Sequence, residues 1–436
     1  MPHVGFLGER PFAYNIGEMF AKYGDIFTLK LDMLGGVDDQ DKCGGVLPIF
    51  IADPAIVQEL VLREKEFPKM WTSKINKSIS FLGGKGLFTS STVDREWQTA
   101  RPLMSKPFNE VKIKQYFDII VDKSERYVDQ LERRVCGGEA LISELNDWNS
   151  CFTFDTVMEA SLGTDLKNLE ALGEGRPLDP FLPAFRKAFQ LNLKFSQGWE
   201  MKHYLQPFKN KKLLEEFESS VAVMFDRMDS LIEQTRNGTI GDRKSVLYSL
   251  LFDDSPSTNE KVMLKNVRSH LVTLMVAGHE TTAATIGFTM YFLAKNPECQ
   301  RRAREEARRV MGSKGYLEYK DAGKLTYITA CLRETLRIFS AVNLLQRSCA
   351  KDTTVTSRTG TKYKIPAGSH MYVVLRGLHT RQEDWGETPL EWNPEHFLDE
   401  ELIKKRHPHS YYPFGFAMRS CIGQFFAIWE ARVCLA

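Results

Sequence analysis

One segment constrains the fold of this chain more than any other. From about Asn259 to Lys295 the sequence carries no proline, and it meets one at Pro297. The pattern predicts a single long helix here, since a proline stops a helix at the residue before it. Its middle, LVTLMVAG over residues 271–278, is apolar on every face. A helix with no polar side to turn towards water has to pass through a core. Around it, the 3.6-residue periodicity predicts mostly helix from Asp94 to about Met311. Breaks are expected at Gly137-Gly138 and at residues 173–180, 237–242 and 253–259, where turn formers cluster. Strand signals are fewer. DIFTLKL and VLPIFIAD, in residues 25–60, are rich in β-branched residues on either side of a polar, glycine-rich loop at 33–45, with a helix from Pro54. A helix ends near Phe339, residues 350–376 turn strand-like, and a last helix starts at Ile422. The expected class is mainly α with a small β-sheet region.

At 436 residues the chain exceeds the size at which one core usually stops growing. A fold built round a cofactor can nevertheless stay in one piece, and a single domain over residues 1–436 is the expectation. A net charge of +2 lacks the basic excess of a nucleic-acid binder. Eight cysteines without a CxxC pair are no disulfide scaffold in so long a chain, which points to a reduced protein whose thiols are mostly small buried hydrophobes. The first residues, MPHVGFLGERPF, lack a basic region followed by an apolar one. The longest uncharged stretch in the long helix, Thr281 to Ala294, is 14 residues, short of the roughly 18 to 20 that cross a bilayer. No membrane span and a cytoplasmic location are therefore expected for the chain as given, with attachment to the endoplasmic reticulum if an amino-terminal anchor has been lost.

The strongest chemical signal is Phe414-Gly415-Phe416-Ala417-Met418-Arg419-Ser420-Cys421-Ile422-Gly423. Cys421 sits where a loop opens into an apolar helix, so backbone amides and the helix dipole favour its thiolate. Arg419, two residues away, adds a cation suited to a carboxylate. Ala277-Gly278-His279-Glu280-Thr281-Thr282, inside the core-crossing helix, puts an acid beside hydroxyls where burial makes polar groups costly unless satisfied or used. A threonine there can also bond back to its own helix. Glu334 and Arg337 form an i,i+3 pair, and Trp97 and Arg101 share one helix face.

Together these motifs resemble the cytochrome P-450 family, whose cysteine loop reads F-G-x-G-x-R-x-C-x-G. Phe414, Gly415, Arg419, Cys421 and Gly423 match, while Ala417 replaces the second glycine. The resemblance runs from about Lys22 to the end. It implies the family fold, with haem b between the core-crossing helix and the cysteine-loop helix, and Cys421 as the thiolate on iron. It implies that Glu280 and Thr281, above the iron, relay protons to dioxygen, that Ala277 lines the site, and that Gly278 leaves room for the oxygen molecule. Trp97, Arg101, Arg347 and Arg419 would hold the propionates. Glu334 and Arg337 would lock the core on the haem side as structural residues, with His396 in Pro394-Glu395-His396-Phe397 standing where the family has an arginine. Since histidine titrates near pH 6.5, that lock is expected to be weaker or pH-sensitive.

The likeness is strongest to haem domains of self-sufficient fatty-acid hydroxylases, and looser to long-chain ω-hydroxylases. Gly86-Leu87-Phe88-Thr89-Ser90, AGHETT and CIGQFFAIWEA carry it. It implies hydroxylation of a fatty acid or other lipid, with Phe88 over the haem and Val276, Ala277, Val342 and Leu344 along the pocket. Electrons would come from NADPH through a flavoprotein reductase or a ferredoxin, docking where Arg101, Lys106, Lys112 and Lys114 attract an acidic partner. Phe181, Phe185 and Phe189 form a stripe at helical spacing, read as core packing in preference to an access channel. Residues 45–50 offer neither the basic residue nor the tyrosine with which the self-sufficient enzymes hold a carboxylate, so sterol, terpenoid and carotenoid substrates stay open. Only 15 residues follow Cys421, against a longer family pattern, so the carboxyl end reads as incomplete. Two alternatives remain: a haem-thiolate isomerase or lyase acting on a peroxide, which would not need the Glu280-Thr281 pair, and a truncated, non-enzymatic haem binder.

Overall fold

The computed structural model describes residues 12–28, 48–70, 86–138, 144–196, 211–239, 244–252 and 260–436. The glycine-rich loop at 33–45, and Trp199, Tyr204 and Phe208 beyond the aromatic stripe, lie outside them.

The sheet stands at one end. Strands β1 (Ile26–Thr28) and β2 (Ile49–Ile51) pair antiparallel, β2 runs parallel to β6 (His370–Val374), and β6 pairs antiparallel with β3 (Leu344–Ser348). β4 (Thr353–Thr356) and β5 (Lys362–Ile365) form a separate hairpin. Ile49, Ile51, Met371 and Val373 bury this sheet against helix α1 (Pro54–Leu62) and the loop that holds Phe416. Helix α1 starts where the sequence predicts, because the Asp53 carboxylate accepts from the amides of Ala55 and Ile56 and Pro54 fills the first turn. Strand β3 begins six residues before the predicted strand region; its polar Gln346 and Arg347 break the apolar run by which a strand is recognised.

The helical body is built from α2 (Arg95–Ser105), α3 (Phe117–Cys136), α4 (Leu145–Leu162), α5 (Phe181–Ser196), α6 (Glu260–Gly278), α7 (Glu280–Lys295), α8 (Thr326–Ile338) and α9 (Gln424–Leu435), with further helices around them. α4 lies across α3, α6 and α7, and α7 packs on α8 and α9. The core-crossing helix is therefore present, but in two pieces. It is interrupted at His279, where the sequence pattern runs straight through. At the break the Thr153 hydroxyl of α4 donates to the His279 carbonyl at 3.0 Å, and His279 Nδ1 lies 2.7 Å from the Met275 carbonyl. The Ala283 amide also donates to the His279 carbonyl at 2.8 Å, so that oxygen is shared between its own helix and α4. Phe181 and Phe185 are buried against Phe154, so the aromatic stripe is core packing. No helix among the described residues is long and apolar enough to cross a membrane.

Candidate active site

The cysteine loop is held by its own backbone. The Cys421 amide donates to the Phe414 carbonyl at 2.7 Å, and the Met418 amide donates to the Glu64 carboxylate at 2.9 Å. Gly415 sits at φ 71°, and Ala417, in place of the second glycine, adopts φ 55°. The substitution keeps the left-handed turn and bears its strain. Gly423 ends the loop, where an added Cβ would stand 3.9 Å from Cys421 Sγ, and α9 follows at once.

Cys421 is in contact with solvent, yet it lies deep enough that burial pushes its thiol pKa up. The backbone at Gly423 and the charge of Arg101 pull the other way without winning. A wetted thiol at depth marks an internal cleft, and the broken helix shows the same signature. Ala277 is exposed and Val276, Gly278, Glu280 and Thr281 are partly so, although Leu271, Met275, His279 and Thr282 around them are buried. Residues in the middle of a core helix can meet solvent only from inside the fold. Phe88 and Val342 are likewise exposed large hydrophobics, and Leu344 is half-buried.

Beside the cysteine loop the chain gathers cations. Arg347, on β3, is 3% exposed, its Nε has no hydrogen-bond partner, and its guanidinium lies 4.1 Å above the Phe416 ring. Burial pushes its pKa down to about 10. Arg419 donates to the carbonyls of Leu87 and Ser90 and stacks 4.6 Å from the Trp97 ring. Burial, then Arg347 and Arg101, push it down to about 9. Arg101 reaches Ser420 at 3.3 Å and is lowered by burial, with Cys421 and Glu64 opposing. Lys69, which no sequence motif picks out, joins them: its ammonium lies 4.4 Å from the Phe88 ring, and burial, Arg419 and Arg347 hold it well below the usual lysine value. Poorly solvated like charges are costly unless an anion is bound among them. Two propionates are such an anion, so the cluster and the thiol beside it fit a haem.

Above the cleft, Thr281 donates back to the Ala277 carbonyl at 2.6 Å, and Thr282, Thr285 and Thr289 bond back in the same way. Glu280 is held below the ordinary carboxyl range by His279, against the effect of burial. Gly278 does not open space: a Cβ there would meet Val157 of α4 at 2.7 Å, so the missing side chain lets the helices approach.

Further off, the expected lock is assembled. Arg337 and Glu334 are fully buried and pair at 2.6 Å, and His396 Nδ1 is 3.0 Å from Glu334 and 3.3 Å from Arg337. Arg337 also donates to the carbonyls of His379, Pro389 and Glu391. Burial would raise the Glu334 carboxyl, but Arg337 and His396 together hold it down. The histidine thus takes part in the lock, and most of the lock is backbone.

The cytochrome P450 family model matches residues 3–436. This chain belongs to the cytochrome P450 family. Over 90% of its length this P450 is 29% identical to the bifunctional cytochrome P450/NADPH–P450 reductase 2 of Bacillus subtilis (strain 168). Over all of it, it is 30% identical to the self-sufficient cytochrome P450 monooxygenase CYP505E3 of Phanerodontia chrysosporium. It spans 35% and 39% of those two proteins, little more than a third of each. Among solved structures, the cytochrome P450DA heme domain superposes with a TM-score of 0.84 at 25% identity, covering 100% of this chain and 88% of that one. The fold is the P450 fold, and haem is the family's cofactor.

Proposed function

We propose that residues 1–436 form one haem-thiolate domain that inserts one atom of dioxygen into a C–H bond of an apolar substrate, the other leaving as water. The observation that carries this is the exposed Cys421 thiol beside Arg101, with Arg419, Arg347 and Lys69 clustered next to that arginine. Bound there, haem supplies the site at which dioxygen is activated. The chain's own groups do the rest. Cys421 would ligate the iron, with Phe414 and Gly423 shaping its loop. Trp97, through its contact with Arg419, and the arginines hold the propionates. Ala277 and Gly278 form the wall above, while Glu280 and Thr281 pass protons into the cleft.

Phe88, Val276, Val342 and Leu344 offer hydrocarbon, with the Lys69 ammonium on the Phe88 ring, which suits a fatty chain or other lipid. Electrons would come from NADPH through a flavoprotein, which is in keeping with the NADPH–P450 reductase that the names of two B. subtilis relatives give to those proteins. A ferredoxin is the second possibility. Of the expected docking cations, Lys106, Lys112 and Lys114 are exposed, whereas Arg101 turns inward to Ser420 and drops out. Charge reversal at Lys106 and Lys112 should slow reduction most at low ionic strength. Rates unchanged across salt would remove this surface.

The test of the whole reading is a carbon-monoxide difference spectrum of the reduced protein. A thiolate-type Soret band, with product formation that demands both NADPH and dioxygen, is expected. A histidine-type band would overturn the reading, and turnover of a peroxide without reductant would favour an isomerase or lyase.

A further inference from the structure

His279 belongs to none of the roles above, yet it is fully buried at the break between α6 and α7. Its ring is boxed by two phenylalanine edges, Phe154 at 5.1 Å and Phe185 at 5.2 Å. Nδ1 stands 2.7 Å from the Met275 carbonyl, an acceptor, so Nδ1 carries a hydrogen. That leaves Nε2, which has no hydrogen-bond partner and lies 3.5 Å from Glu280 Oε1. The ring cannot turn this nitrogen elsewhere without breaking the Met275 bond and the aromatic box. The Glu280 side chain is half-buried, in contact with the imidazole and also with the cleft.

We propose that His279 and Glu280 share a single proton, with Nε2 storing what the carboxyl hands on beside Thr281. This rests on the monooxygenase reading for the use of the proton. In the stored state the pair is imidazolium and carboxylate. Transfer breaks the Nε2–H bond and forms an Oε1–H bond, leaving imidazole and acid, so the net charge of the pair stays at zero. When Glu280 then releases its proton into the cleft, the pair becomes imidazole and carboxylate, and one proton from solvent refills it. Among the described residues, the other charged side chain acting on the pair is Arg186 of α5, whose own partner is Asp147 of α4 at 3.1 Å. α4 otherwise presents Thr153 and Phe154 to His279. His279 touches no substrate, so it is a positioning residue, and it answers why a carboxylate is tolerated in an apolar helix.

Two variants separate the nitrogens. His279→Asn can keep a donor for Met275 but has no group at Nε2, while His279→Gln places an amide near Nε2. In the haem-loaded protein, His279→Asn should keep the thiolate-type spectrum and KM, lower kcat roughly tenfold or more, raise the solvent deuterium isotope effect and divert electrons to hydrogen peroxide. His279→Gln, whose amide can donate to Glu280 but cannot store a proton, should hold Glu280 in place without recovering kcat or the isotope effect. With histidine labelled at ring carbon ε1, NMR of the reduced carbon-monoxide form should show the protonation of the His279 ring change when Glu280→Gln removes the carboxylate that shares its proton. That arm reads the pair whether or not product forms, so a failed oxygenase assay leaves it intact. A ring that is neutral and indifferent to Glu280→Gln would overturn the proposal. So would a His279→Asn protein with kcat and isotope effect unchanged.

Discussion

Ala417 occupies a left-handed position, φ 55°, between Gly415 and the cysteine. A β-carbon in that region crowds the following carbonyl, and the neighbouring residue with the same sign of φ is a glycine. Ala417→Gly should relieve the strain and stabilise the protein by about 1 kcal/mol, read as a higher urea midpoint, with the spectrum of the cysteine ligand unchanged. Glu430, on α9 nine residues past Cys421, presents a different problem. It is completely buried, neither carboxyl oxygen has a hydrogen-bond partner, and burial raises its pKa well above the carboxyl range, against a smaller effect of Thr156. A carboxyl whose folded pKa is raised binds its proton more tightly in the folded state. Its contribution is therefore present below the unfolded value, about 4.3, and lost as pH rises towards the folded one. Glu430→Gln should accordingly stabilise the fold at pH 8 and change little at pH 4. Equal gains at both values would show that the carboxyl is ionised in place.

At the scale of elements, the broken helix and its neighbour decide how close the cleft roof lies to the core. Gly278 is where α6 touches α4, and a methyl group there would sit 2.7 Å from a Val157 methyl. Overpacking of that kind costs roughly 1 to 3 kcal/mol. Gly278→Ala should destabilise by that amount, and Val157→Ala in the same chain should return most of it, a coupling that a double-mutant cycle would measure. An uncoupled pair would mean that the helix moves instead. The glycine is easy to find in the sequence, but its neighbour is not, because Val157 is 121 positions away and looks like any other apolar residue of α4. The break at His279 is invisible for a related reason. Thr153 from another helix and the ring's own bond to Met275 meet there, while the apolar pattern continues across it. By contrast, the cysteine loop, the Glu334–Arg337 pair and the start of α1 could be read directly, since each is closed by residues within a few positions of one another. Lys69 and Glu64 escaped because a lone charge in a loop has no periodicity to betray it; only the folded chain brings them to Arg347 and the Met418 amide.

For the molecule as a whole, the cation cluster ties the fold to its cofactor. Arg347, Arg419, Arg101 and Lys69 come from the sheet, the cysteine loop, α2 and the segment after α1, so the elements can close only by bringing like charges together. Glu64 offsets part of this repulsion. Binding a dianion among these groups should remove the rest, which makes cofactor affinity and stability two readings of one free energy. The consequence is an inversion of the usual effect of mutating a buried residue. Arg347→Leu removes a guanidinium whose Nε has no partner and whose charge disfavours its neighbours. After haem extraction, the variant should therefore unfold at a higher urea concentration than the parent chain, and the gap should narrow as salt screens the remaining cations. Loaded with haem, the same variant should release it to an acceptor protein faster, because one propionate loses its counter-charge. If Arg347→Leu weakened the extracted and loaded forms alike, the arginine would be an ordinary packing residue and the cluster no propionate site.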